Sequence, residues 1–272
     1  MNFRQNRRTM DRRIVHREHW NNLLVEIIDN GDTRSLFFGG DVLQSSMSLS
    51  HPNRLTLSYT HCMMASLLIN DHPERVLIIG VGAGSLVRFL HSHLPTCRID
   101  GIDNAPHIIK LAHGYFSLPE DERLTLFDRD GLDYLQQLPE PRGYDLILVD
   151  AFDGAGMAAS IYHRACFDLC RHHLRRGGVI SINLWSGDGV KMDEVQNDCA
   201  DCFGPPLTLP VPNRGNVVCL AGRQADLNLV MRRNRAELDR LSDRFAIDFR
   251  RIAGICRKHN LTRWQRLSRL FS

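Results

Sequence analysis

Short apolar runs that end in glycine or aspartate alternate along this chain with stretches whose apolar residues recur at helical spacing. That alternation sets the predicted architecture. Val76–Ile79 (within RVLIIGVGAGS), Arg98–Asp103, Leu124–Phe127, Tyr144–Asp150 (YDLILVD) and Val179–Leu184 read as buried strands. Between them, Leu86–Leu94, Pro106–Tyr115, Gly131–Gln137 and Ser160–Leu174 carry a helical pattern. The last ends at Arg175-Arg176-Gly177-Gly178, a basic final turn with a glycine stop. Five strands separated by helices predict a mostly parallel sheet with right-handed crossovers. Leu207–Val211 and Asn216–Ala221 then read as a closing antiparallel pair around Pro212-Asn213-Arg214-Gly215.

The flanking segments follow other patterns. Leu23–Ile28 and Arg34–Phe38 bracket Asn30-Gly31-Asp32, a hairpin signal because Asn-Gly supplies the positive φ angles of a tight turn. Asp41–Ser45 reads as a further strand and Arg54–Ile69 as a helix. Beyond Asp226, two amphipathic helices are predicted, broken near His259-Asn260. The chain thus divides into a basic tail (1–20), a β-hairpin unit (21–52), an α/β domain (53–222) and a basic helical extension (223–272).

Composition narrows the classes. Hydrophobic residues make up 43% of the 272, ample for a full core, and aromatics 7%, too few to favour a stacking surface for single-stranded nucleic acid. No apolar run approaches the roughly 18 residues of a membrane span. The basic N-terminus has no apolar stretch behind it, which predicts no ordinary secretory signal. Eight scattered cysteines read as reduced thiols of a cytoplasmic protein, and Cys199-x-x-Cys202 lacks the second pair that a zinc site would need, so no metal is expected. Residues 223–272 hold 13 Lys/Arg against 5 Asp/Glu, while the whole chain carries only +3. An acidic body suits a cationic substrate. The basic extension reads as a solvated face on the core rather than a nucleic-acid surface, since no reading motif accompanies it.

Candidate chemistry gathers where such sheets bind ligands, at the carboxyl ends of the strands. Gly80, Gly82 and Gly84 form a strand–turn–helix loop spaced G-x-G-x-G, which departs from the dinucleotide spacing G-x-G-x-x-G. The same loop could serve only to pack a tight turn. Asp103, about twenty residues on, stands where a carboxylate accepts from a ribose diol; Asp130-Gly131 follows the next strand and suits an adenine edge. Either aspartate could instead cap the following helix. Asp150 ends the most apolar strand, with Asp153 three residues further in VDAFDG. Carboxylates so placed would have perturbed proton affinities and could take a proton from an amine; a purely structural role is the alternative.

In this order, the stretches FFGGDVLQS, SYTHCMMASLL, VLIIGVGAGS, GIDNAPHIIKLAHGYF, RDGLDYL and YDLILVDAFDG resemble the spermidine synthase (polyamine aminopropyltransferase) family, over about Leu23 to Trp185. The resemblance implies an N-terminal β unit on a class I methyltransferase-like Rossmann domain with a mostly parallel seven-stranded sheet. It implies transfer of an aminopropyl group from decarboxylated S-adenosylmethionine to a diamine or polyamine, with release of methylthioadenosine. By position, Gly80, Gly82, Gly84 and Gly131 would hold the donor, Asp103 its ribose and Asp130 its adenine. Asp150 would be the base, Asp153 would hold an acceptor ammonium, and Gln44 and Tyr59 would contact donor or acceptor. A homodimer without membrane or nucleic-acid partners is implied as well.

This chain departs from the family pattern at several places. Family members carry an aspartate in the glycine loop where Ala83 stands, and Tyr-His-Glu where this chain has Tyr59-Thr60-His61. The loop after Asp150 lacks the family's proline. Ala83 favours an alternative, a methyltransferase using intact S-adenosylmethionine, whereas Asp150-x-x-Asp153 opposes it. A nucleoside-binding protein without catalysis is the third reading.

Overall fold

The computed structural model describes residues 12–261 apart from 21, 41, 154–155 and 188–191. The expectations for residues 1–11, Asp41 and 262–272 therefore lie outside the described residues. At the N-terminus, β1 (Arg12–Trp20), β2 (Leu23–Asn30), β3 (Thr33–Phe38) and β4 (Val42–Ser48) pair in chain order as an antiparallel sheet. Gly31, at φ +58°, turns the central hairpin. Arg12–Trp20, expected as part of a tail, is instead an edge strand paired along β2. Its charges hid it: Arg17 Nε donates to Glu26 at 2.8 Å, while Val15 and Trp20 supply its apolar contacts. With so few apolar residues, pairing rather than pattern makes the strand.

Next come α1 (Ser58–Met63) and a 3-10 turn over Met64–Leu68, where one longer helix was expected. The α/β rhythm then runs β5 (Arg75–Ile79), α2 (Ser85–His93), β6 (Arg98–Asp103), α3 (Pro106–Tyr115), β7 (Leu124–Asp128), α4 (Gly131–Gln137) and β8 (Tyr144–Val149). Two-residue strands β9 (Phe152–Asp153) and β10 (Gly156–Met157) form a ribbon. α5 (Arg164–His173), β11 (Leu174–Trp185), α6 (Met192–Phe203), β12 (Leu207–Pro210) and β13 (Asn216–Gly222) complete the domain. α5 begins later than expected. α6 was not foreseen, because its buried stripe is Val195, Cys199 and Cys202 on an otherwise polar helix. The Cys-x-x-Cys spacing is thus a core stripe, and all eight cysteines are free and buried.

The main sheet has the order β12-β13-β11-β8-β5-β6-β7. β5, β6, β7, β8 and β11 are parallel, and β12 and β13 run antiparallel to their neighbours. The order reverses at β5, which puts its glycine loop at the topological switch point where such sheets bind ligands. One face is covered by α1, α2 and the C-terminal helices, the other by α4, α5 and α6.

Among the described residues, the extension forms three helices, α7 (Leu229–Arg232), α8 (Arg235–Phe245) and α9 (Phe249–Asn260). An unexpected break falls at Ala246, in the left-handed region at φ +51°, and α9 ends at Asn260, where a break is expected; the helix expected beyond it lies outside the described residues. Leu238, Leu241, Phe245, Phe249 and Ile252 are buried in the same core as Leu67 and Leu68. Asn260 brackets Thr208 of β12 with both amide atoms, at 3.0 and 2.8 Å. Among the described residues, no helix is long and apolar enough to cross a membrane.

Candidate active site

β5 delivers Gly80 into contact with the end of β8. Its φ is +93°, and a Cβ there would stand 2.2 Å from the Asp150 carbonyl oxygen, so only glycine fits. The Asp150 N–H in turn donates to Ile79 O at 2.8 Å. Two strand ends are thereby locked together, and the glycine loop faces the Asp150 side chain across their junction.

Asp103 closes that loop. Its Oδ2 accepts from the N–H groups of Val81 and Gly82, both at 2.9 Å, and its Oδ1 from Ala105 N–H at 3.0 Å. Burial holds its proton affinity above the ordinary aspartate value despite these three donors, and nearby Asp128 adds to the rise. Asp130 caps α4, with Oδ1 accepting from Leu132 and Asp133 N–H at 2.8 and 3.3 Å, while its Oδ2 accepts from Ser160 Oγ at 2.8 Å. Capping and a place on the cavity wall are therefore both true of Asp130.

Asp150 has a different environment. Tyr59 O–H donates to Oδ2 at 3.1 Å and Asn183 Nδ2 to Oδ1 at 2.8 Å, and no cation pairs with it among the described residues. Burial pushes its carboxyl up to about 6, against the opposing pull of those two donors. Tyr59 therefore holds Asp150 as well as lining the cleft.

A cavity of about 400 Å³ joins these groups, within the range of small-molecule sites. Gln44, Tyr59, Gly80, Gly82, Asp103, Asp130, Gly131, Asp150 and Asp153 all line it. Gly84 does not. It starts α2 at φ +77°, and a Cβ there would meet Leu118 Cδ1 at 2.3 Å, so its need for glycine comes from packing behind the cleft. Ala83 is buried among residues of the N-terminal sheet and α3. His61 bonds the Leu55 carbonyl and stays off the cavity wall.

Several residues of the site went unnoticed in the sequence: Trp20, Arg129 and Phe152, which line the cleft, and Ser160 and Asn183, which hold two of its aspartates. Only Asn183 left a readable signal, as an amide within the largely apolar run VISINLW.

Fold and cleft together define a Rossmann-type, class I methyltransferase-like protein with a nucleoside-sized site at its strand carboxyl ends. Comparison agrees: residues 57–213 match the spermine/spermidine synthase domain. A polyamine aminopropyltransferase from Neisseria meningitidis is 34% identical over 85% of this chain and 88% of its own length. A crystal structure of spermidine synthase in complex with the transition-state analogue AdoDATO shares the fold, with TM-score 0.72 at 14% identity, over 96% of this chain and 89% of that one. Human methyltransferase-like protein 13 in complex with SAH superposes with TM-score 0.57 at 22% identity, over 71% and 89% of the two chains. The chain belongs to the spermine/spermidine synthase family, a family of transferases.

Proposed function

We propose that this protein moves an aminopropyl group from decarboxylated S-adenosylmethionine to a diamine or polyamine. The attacking amine nitrogen forms the new C–N bond. The C–S bond of the sulfonium breaks, its electron pair returns to sulfur, and methylthioadenosine leaves. The amine's proton passes to the Asp150 carboxylate. Asp103 would accept from the donor ribose, Asp130 from the adenine amine, and Gly80, Gly82 and Gly131 would let backbone approach the nucleoside. Gln44, Tyr59 and Asp153 would orient the aminopropyl chain and the acceptor ammonium.

One observation carries this reading: at the cavity floor stands a carboxylate with raised proton affinity, held by neutral donors and free of cations among the described residues. A sulfonium carbon is already electrophilic, so positioning and deprotonation of the amine are the main tasks left to the protein. A base with affinity near 6 is mostly ionised at neutral pH yet close enough to it to accept a proton in the transition state.

A second reading, use of intact S-adenosylmethionine for methyl transfer, has one feature in its favour. Ala83 puts no acidic side chain in the glycine loop itself, and the buried guanidinium of Arg88 donates to the Ala83 carbonyl. The loop's own side chains therefore add no repulsion of a donor carboxylate. Incubation with each donor and a panel of amines, followed by mass spectrometry, separates the two. The proposal expects methylthioadenosine and an aminopropylated amine; S-adenosylhomocysteine with a methylated amine would replace it. A cytoplasmic location fits the eight free cysteines, and light scattering tests the homodimer implied by the family resemblance.

A further inference from the structure

Asp150 is held by more than its immediate neighbours. Asn183, 1% exposed in β11, donates from Nδ2 to Asp150 Oδ1 at 2.8 Å, and its own Oδ1 accepts from Asn216 Nδ2 at 3.0 Å. Asn216 and Asn183 sit on adjacent antiparallel strands, since Asn183 pairs with Val218 and Trp185 with Asn216. They are diagonal neighbours on one face of the sheet, within reach of each other. We infer that Asn216 and Asn183 form a one-way amide relay that positions the Asp150 carboxylate for the transfer, a role that rests on the proposed reaction.

The observed donors give the relay its direction, from Asn216 Nδ2 to Asn183 Oδ1 and from Asn183 Nδ2 to Asp150 Oδ1. An amide can present either its carbonyl or its NH₂ to a neighbour. With its carbonyl engaged by Asn216, Asn183 has only its NH₂ left for Asp150. That orientation favours the ionised carboxylate; a flipped amide would favour the protonated acid. The other carboxylate oxygen is taken by Tyr59 O–H, so the plane of the group is fixed at both ends. The two holding elements are themselves tied. Ser181, on the same face of β11 as Asn183, donates to the Met63 carbonyl at the end of α1, the helix that carries Tyr59. Tyr162 O–H donates to the backbone carbonyl of Asn183 at 2.9 Å and steadies the strand.

Tyr59 from α1 and Tyr162 from the segment before α5 are raised well above the ordinary phenol value, chiefly by burial, and stay neutral. Asp103, Asp130 and Asp153 line the same cavity, with Arg129 as its lining cation.

Two variants test the relay, Asn183→Leu and Asn216→Leu, the second leaving every atom that touches Asp150 in place. The readouts are the pH profile of kcat/KM and a ¹³C-carboxyl NMR titration, with the Asp150 signal assigned by its loss in Asp150→Asn. Asn183→Leu should move both the acid limb and the titration upward by about one pH unit, because a hydrogen bond to a charged group is lost. Asn216→Leu should move them in the same direction by less. Donor affinity should hold in both, and turnover should recover above the shifted limb. An Asp150 titration unmoved in Asn216→Leu overturns the relay, as does folded Asn183→Leu that is inactive at every pH. The NMR arm reads without turnover, so it stands even if no aminopropyl transfer is found.

Discussion

Asp145 and Asp150 sit at opposite ends of β8 and have opposite surroundings. Asp145, 1% exposed, accepts from Glu74 and Arg75 N–H at 2.8 and 2.9 Å and is ion-paired with Arg175. Asp100, on β6 beyond the intervening β5, likewise meets Arg75 at 3.0 Å and Tyr144 O–H at 2.6 Å. At the carboxyl end, Asp150 has an amide and a phenol, and Asp103 has three backbone N–H groups. Asp130 there has two N–H groups and a serine hydroxyl. The amino ends neutralise their carboxylates with arginine. The carboxyl ends orient theirs with neutral donors and leave the charge available to a ligand. A buried carboxylate therefore marks a site only where its charge is left unmatched.

The sharpest break of this contrast is Asp150→Asn. Turnover should fall by about a thousandfold or more, the scale of losing a positioned base, while calorimetry shows donor affinity within a few-fold. Turnover near the parent level would end the assignment of Asp150 as the base. Asp145→Ala should do the reverse, lowering unfolding free energy by about 3 kcal/mol in urea titration, because two N–H groups lose their acceptor and Arg175 its partner. Its kcat should stay within about twofold, and a selective loss of turnover would dissolve the distinction between the two ends. Tyr59→Phe should have the smallest effect, raising the acid limb of the pH–rate profile by up to about one unit. The sign follows from the chemistry. The base works ionised, its affinity is already raised to about 6, and removing a donor to the ionised form raises it further. Activity therefore fades at higher pH as the medium is acidified. An unmoved limb with a raised KM would make Tyr59 a substrate contact only.

Much of the fold was legible because its cues are local. Pro106–Tyr115 and Gly131–Gln137 were predicted to the residue, since proline at the first helical turn and an aspartate cap before glycine are written in adjacent letters. β1 and α6 were missed for the opposite reason. One is an edge strand of charged residues held by pairing, and the other buries a stripe of cysteines and valine that reads as polar or metal-like in one dimension. The C-terminal extension looked peripheral from its charge, yet its apolar face lies in the main core. Three of its arginines, Arg233, Arg240 and Arg244, converge on Asp71.

The row of acid-terminated strands and the glycine loop were settled by sequence alone, because a parallel strand must end where its apolar run ends and a turn that tight needs glycine. Which aspartate keeps an unmatched charge was decided only by the tertiary structure. The groups that hold Asp150 come from 33 and 91 residues away along the chain, and Arg175 reaches Asp145 from the far side of α5. Proton affinity in a protein interior depends on which donors and charges stand within a few ångströms, and that proximity is a property of the folded sheet.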